Sequence, residues 1–317
     1  MELDYYDKEI LYELDRDARV TLSKLSKKLR RSKPFILHRI KRFEQGGIIT
    51  GYTAIVDMSK LGYFTFRIYL DLQQSTEQDK LEIIEYVKKH KQIWTITTIH
   101  GVWDLALFLG VKNIQEFHVL WDDVLVKLKE KIKSYNVAIY APIYNYNRVF
   151  FLDKTLVKEE RIYGLGKKED IKELDWKILQ IYSPAVRQSS LEIAKKLEIS
   201  ADTVRAHIRT LIKKKIIVGH KIGLNLTELG YFSYRIDFEL NNTKNIRELM
   251  NFCKHHKNIY QINKTIGGAD FEIEVILKSE EELTKLIDEI KSNFKDMIKD
   301  EIYFRFSTFH MLNYIPD

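Results

Sequence analysis

The 317 residues are 45% hydrophobic and 31% charged, with a formal net charge of +7, so packed cores are affordable, general disorder is excluded, and about two domains of ~150 residues are expected. No apolar run reaches the roughly 18 residues that span a bilayer, and the N-terminus MELDYYDKE is acidic where a secretory signal would be basic and then apolar. Cys253 is the single cysteine, which excludes an intrachain disulfide, and with His255 and His256 it makes too small a ligand set for zinc. A cytoplasmic protein without membrane contact is expected.

Along the chain, Ile10, Leu11 and Leu14 mark a first amphipathic helix, and Leu25 and Leu29 a short second one with Thr21 as its N-cap. Ile36, Ile40 and Phe43, at i, i+4 and i+7, mark a third, capped by Ser32 and tolerating Pro34 in its first turn. Three helices with a tight turn before the third predict helix-turn-helix architecture. GIITGYTAIV at 47–56 is strand-like and predicts a wing. Beyond LGYF at 61–64 the period changes: strand 64–72, helix 78–89, strands 94–99 and 105–111 about Gly101, helix 114–133, strand 137–144. That βαββαβ order is ferredoxin-like. The polar run DKTLVKEERIYGLGKKED at 153–170 predicts a connector.

LGYF recurs at 229–232, an offset of 168 that also superposes Ile178, Leu179 and Tyr182 on the first helical stripe and Val204, Ile208 and Leu211 on the third. Ser189 forms an S-x-x-E capping box with Glu192, Ser200 stands before the next helix, and KIIVGHKIGL at 215–224 matches the strand-like run. The remaining elements repeat as 232–240, 246–255, 259–266, 271–277, 282–294 and 302–309. The expected fold class is α+β: two winged helix-turn-helix modules, 1–60 and 171–228, each followed by a ferredoxin-like βαββαβ sandwich, 61–152 and 229–317, with a linker at 153–170.

LDYYDKEILYELDRDAR, LSKLSKKL, Ser32, Arg39 and GGIITGYTAIVDMSKLGY resemble the Lrp/AsnC family of regulators. The second copy, from LDWKILQIY through LEIAKKLEISADTVRAHIRTLIKKKIIVG, resembles it more loosely, and together the two cover nearly the whole chain. The resemblance implies a winged helix-turn-helix that binds double-stranded DNA and a ligand-sensing (RAM) domain that binds a small amino-acid-like effector. Family members carry one such unit per chain, so the tandem duplication is a departure.

Charge bears on the DNA expectation independently. Residues 1–60 carry 13 basic and 9 acidic side chains and residues 167–228 carry 13 and 8, so the positive charge is confined to the helical modules. Within KLSKKLRRSKPFILHRIKR, residues 24–42, the third helix places Phe35, His38, Arg39 and Arg42 on its outer face with Lys41 beside it. Phe35, His38 and Arg39 are the expected base readers, while Lys24, Lys27, Lys28, Arg30, Arg31, Ser32 and Lys33 belong to the preceding helix and turn, where phosphates are contacted. The second module offers Ser200, Thr203, Arg205, His207 and Arg209, with Asp202 among them.

For the effector, the resemblance points to two Gly-x-x-Asp turns: Gly101 and Asp104 in HGVWD, and Gly267, Gly268 and Asp270 in GGAD. Hairpin chemistry is the competing reading, since such turns need glycine for φ > 0 and aspartate for local hydrogen bonds. The two sandwiches are expected to pack as an intrachain pseudo-dimer and to build a homo-oligomer. No Walker loop or nucleophile elbow occurs, so neither a cofactor nor an enzymatic activity is expected. The alternative is an enzyme similar to the sirohaem decarboxylases, also built from paired halves of this kind around a tetrapyrrole, for which His100, His118 and His310 are available.

Overall fold

The computed structural model describes residues 2–73, 76–152, 158–313 and 315. Residues 153–157 of the expected connector, and positions 1, 74, 75, 314, 316 and 317 of the expected domains, lie outside the described residues.

Asp4 and Asp7 form a reciprocal capping box that starts α1 (Tyr5–Arg16). Thr21 caps α2 (Leu22–Leu29) and Ser32 caps α3 (Lys33–Gln45), each through its hydroxyl oxygen. The chain then runs through β1 (Ile49–Val56), β2 (Phe64–Leu72), α4 (Glu77–Val87), β3 (Ile93–Gly101), β4 (Leu105–Val111), α5 (Ile114–Leu128), β5 (Ile132–Tyr146) and β6 (Glu160–Tyr163). The second half follows as α6 (Glu173–Tyr182), α7 (Ser190–Leu197), α8 (Ala201–Lys213), β7 (Ile217–Leu224), β8 (Phe232–Leu240), α9 (Ile246–His255), β9 (Ile259–Ile266), β10 (Phe271–Leu277), α10 (Glu280–Asn293) and β11 (Ile298–Leu312). The repeated LGYF has a local cause: Gly62 (φ 83°) and Gly230 (φ 72°) end short 3-10 turns in the left-handed conformation before β2 and β8.

The expected wing takes another form. Each module supplies a single strand, and β1 pairs antiparallel with β7 of the other half, Thr53 opposite Lys221. The edge that a hairpin would have covered within one half is covered by the pseudo-symmetric strand instead. Ile10, Leu14, Phe43, Ile178, Val204 and Leu211 accordingly share one core beneath both modules.

The other strands run in the order β2-β4-β3-β11-β8-β10-β9-β5, and β5 also pairs with β2, so the sheet closes into a barrel with β6 on β5. The final strands do the closing. β5 pairs with β2 from Ile132 to Ile139 and with β9 from Ile139 to Asn145, while β11 pairs with β8 up to Phe306 and with β3 from Phe304 onward. Both span 15 residues, longer than the sequence predicts, because each leaves its own half to join the other. Alternation sorts the faces: Phe66, Ile68 and Leu70 join the core containing residues of α4 and α5, and Ile236, Phe238 and Ile273 the core containing residues of α9 and α10. The intervening Arg67 and Arg235 meet inside the barrel at Glu272.

The connector is laid against the body. Lys158 donates to the carbonyls of His256 and Ile259 at 2.8 and 2.6 Å beyond the end of α9. Gly164 N–H donates to Asp57 at 3.1 Å and Gly166 N–H to Ser59 Oγ at 2.8 Å. Between modules and barrel, buried Asp15 accepts from Arg148 N–H at 2.6 Å and from its Nε at 3.1 Å. Burial alone would raise this carboxyl, but Arg148 and Arg161 outweigh it and hold Asp15 below its ordinary value. A depressed folded value means that the stabilisation is complete above the unfolded value near about pH 4 and is lost as pH falls further. Urea midpoints should therefore drop between neutral and strongly acidic pH, and Asp15→Asn should flatten that slope.

Candidate nucleic-acid interface and ligand sites

The two helices expected to read DNA, α3 and α8, stand at equivalent positions in the two halves, each after a turn whose left-handed residue is not glycine: Arg30 (φ 51°) and Glu198 (φ 57°). Ile36, Ile40 and Phe43 face inward on α3, as do Val204, Ile208 and Leu211 on α8. Lys24, Lys27, Arg30, Lys33, His38 and Lys41 stand exposed on α2, the turn and α3. That distribution suits contact with phosphates.

The central residues of the outer face are engaged within the module. Arg39 NH1 donates to Asp4 at 2.7 Å and to Asp7 at 2.6 Å, and Arg42 NH2 donates to Asp7 at 2.6 Å. Burial would raise Asp4, but the Asp7 N–H and Arg39 hold it below the ordinary carboxylate range. Arg39 lies over the Phe35 ring at 4.5 Å, and Arg31 lies over Tyr6 at 4.5 Å while donating to its hydroxyl. Lys28 pairs with Glu13 at 2.6 Å. The same arrangement recurs in the second module, where His207 Nδ1 lies 2.6 Å from Asp175. Arg205 pairs with Asp202, Thr203 bonds the Ser200 cap, and Arg209 is exposed. An acidic patch on the first helix that anchors the reading helix explains why Arg39 and His207, chosen from the sequence as readers, are both partly buried. Their signal was the shared spacing to Asp7 and Asp175, which the 168-residue offset superposes.

The two glycine-aspartate turns are also engaged internally. Asp104 accepts the Leu72 N–H at 2.9 Å and Asp270 the Leu240 N–H at 2.8 Å, so each carboxylate satisfies the end of a neighbouring strand. Gly101 has φ 142° and abuts Phe304; Gly267 has φ 84° and abuts the Val137 carbonyl. A Cβ on Gly268 would lie 2.3 Å from Glu272 and Thr265 and 2.9 Å from Arg67. These positions are shaped by closure of the barrel.

What sequence reasoning missed is the barrel interior. Glu272 accepts both contacts of Arg67 NH1 at 3.0 Å, a short contact from Arg235, and the Thr265 hydroxyl at 2.8 Å. Arg235 further donates to Asp237 at 2.7 Å and to Glu274 at 3.2 Å. Between this interior and the β1–β7 ribbon lies a cleft of about 790 Å³ that includes Val56, Trp94, Tyr140, Tyr163 and Lys221 in its walls. Among the described residues no group of three or more ligands could hold a metal, and no helix is long and apolar enough to cross a membrane.

Comparison with known proteins adds to this geometry. A family described as winged helix-turn-helix DNA-binding matches residues 3–50 and again 171–218. An uncharacterised HTH-type transcriptional regulator of Pyrococcus furiosus is 32% identical over 136 residues, covering 41% of this chain and 88% of that protein. The leucine-responsive regulatory protein of Rhizobium meliloti is 41% identical over 63 residues, 20% of this chain and 40% of its own. Among solved structures, the siroheme decarboxylase NirDL in co-complex with an iron-uroporphyrin III analogue matches 99% of this chain and 94% of its own, with a TM-score of 0.65 at 16% identity. That whole-length likeness is one of fold, and it corrects the expectation from the sequence that no enzyme is present. That expectation leaned on the absence of a recognised catalytic motif, and a missing motif is no evidence against an enzyme, because one fold hosts many chemistries.

Proposed function

We infer, for a chain that belongs to the Lrp/AsnC-like helix-turn-helix transcriptional regulators, that it binds double-stranded DNA with both modules at once and adjusts that binding to a small-molecule effector. The β1–β7 pairing carries this reading, because it fixes the two reading helices relative to each other as one unit. The heads differ where bases would be met, Phe35 and His38 against Thr203 and Ala206, so an operator with unequal half-sites is expected. Genomic fragments that co-purify with the protein would supply the duplex, and anisotropy titrations the affinity. Replacing Lys24 and Lys27 with alanine should weaken binding to all sequences alike and lower the salt slope by roughly one unit per lost phosphate contact. Binding no tighter to the recovered fragments than to random duplex would overturn the reading.

A second reading is favoured by the whole-length likeness to a siroheme decarboxylase. On it, the chain binds a tetrapyrrole as substrate and replaces carboxylate by a proton with release of carbon dioxide. Of the three histidines singled out, His310 on β11 bonds Thr98 of the neighbouring β3 at 2.7 Å, His100 is exposed at the end of β3, and His118 is exposed on α5. Iron uroporphyrin mixed with the pure protein decides this reading, which an unshifted Soret band and no carbon dioxide would remove.

A further inference from the structure

Four of the molecule's exposed large apolar side chains, Phe64, Leu165, Ile266 and Leu312, belong to one feature, the walls of the 790 Å³ cleft between the β1–β7 ribbon and the barrel. Scattered apolar exposure needs no explanation, but its convergence on one concavity of ligand size does. The strap Gly164–Gly166, pinned to Asp57 and Ser59, bounds one side.

Lys221 supplies the polar counterpart. It stands on β7 in the wall of this cleft, and its ammonium forms no hydrogen bond or ion pair among the described residues. Burial first, and then Arg148, lowers its ammonium to about 8, yet the residue keeps accessible surface, which the cleft accounts for. The other charges acting on it are Asp15 from α1, Arg161 from β6 and Glu274 from β10. Asp15 is bound by Arg148, and Glu274 by Arg235 and the Tyr260 hydroxyl at 2.6 Å, so neither carboxylate is available to it. Tyr163, whose phenol burial raises, lines the same wall. A deep ammonium without an anion beside an apolar surface is a costly arrangement that an anionic ligand relieves.

We propose that this cleft is the effector site, and that it takes a small molecule with an apolar, aromatic-sized body and one carboxylate or equivalent anionic group, held by Lys221 and Tyr163. The proposal deepens the regulatory reading. An occupant touches both the ribbon that sets the reading heads and the barrel beneath it, so its binding is coupled to their relative placement. Lysines 168 and 221 are the cations of the cleft, which suits a singly charged ligand over one bearing many carboxylates.

The test uses the full chain without DNA, so its outcome is independent of whether the protein binds DNA. Anilinonaphthalene sulfonate, an anionic apolar dye, is titrated and followed by fluorescence. One dye per chain should bind, with affinity falling as pH rises through 8, where Lys221 loses its charge. Lys221→Met should weaken binding by about tenfold below that pH and abolish the pH dependence, while Lys221→Arg, which keeps the charge, should restore most of it. Iron uroporphyrin should not displace the dye. Unchanged affinity and pH profile in Lys221→Met, or displacement by iron uroporphyrin, would overturn the proposal.

Discussion

Glu272→Ala should destabilise the protein by about 3–5 kcal/mol, the usual cost of removing one partner from a buried ionic group. The carboxylate is fully buried and serves Arg67 and Arg235 together. Without it Arg67 retains Asn136 at 3.5 Å and the Tyr69 ring at 4.2 Å, while Arg235 keeps Asp237 and Glu274. One guanidinium is thereby stranded between the two halves. Guanidinium unfolding monitored by tryptophan fluorescence reads the loss, and Glu272→Gln, which still accepts hydrogen bonds, should recover part of it. A midpoint shared with the parent protein would mean that Arg67 finds water or a new acceptor.

Asp7→Ala should cost about 2–3 kcal/mol, less than Glu272 because its partners Arg39 and Arg42 are closer to solvent. The carboxylate itself is buried, and it anchors α3 to α1. Its loss also removes a negative charge from beside two guanidiniums on the expected DNA-facing helix. Affinity of the folded fraction for any duplex should rise, with a steeper salt dependence. Asp175→Ala, its counterpart facing His207, provides the comparison, and its effect on duplex affinity should be smaller because Asp175 faces one imidazole where Asp7 binds two guanidiniums. Lower duplex affinity in Asp7→Ala would instead mean that the orientation of Arg39 matters more than its net charge.

Local rules made the helical modules legible. Spacing of Ile36, Ile40 and Phe43, and the hydroxyls of Thr21, Ser32, Ser189 and Ser200, depend on neighbours within one or two turns, and all lie where those rules put them. Contacts between the halves were not legible in the same way. Arg67 and Glu272 alternate with apolar neighbours just as solvent-facing residues would, and a period of two cannot distinguish water from a polar barrel interior. Likewise the ends of β5 and β11 depend on strands 100 or more residues away, so their length was underestimated. Arg39 stood out as a basic residue on an exposed face because its acids precede it by more than 30 positions.

The pairing of β1 with β7 joins segments of one polypeptide, and that changes its thermodynamics. A dimer of separate subunits comes apart on dilution and exchanges partners with its relatives; this ribbon has no bimolecular step and no dilution limit. A mixture of this protein with single-unit relatives would leave the pair unscrambled. Each half is also released from having to complement an identical copy of itself, so one head can carry an arginine where the other carries a histidine, each paired within its own module. Asymmetry that a homodimer can show only by breaking its symmetry is here encoded directly in the gene.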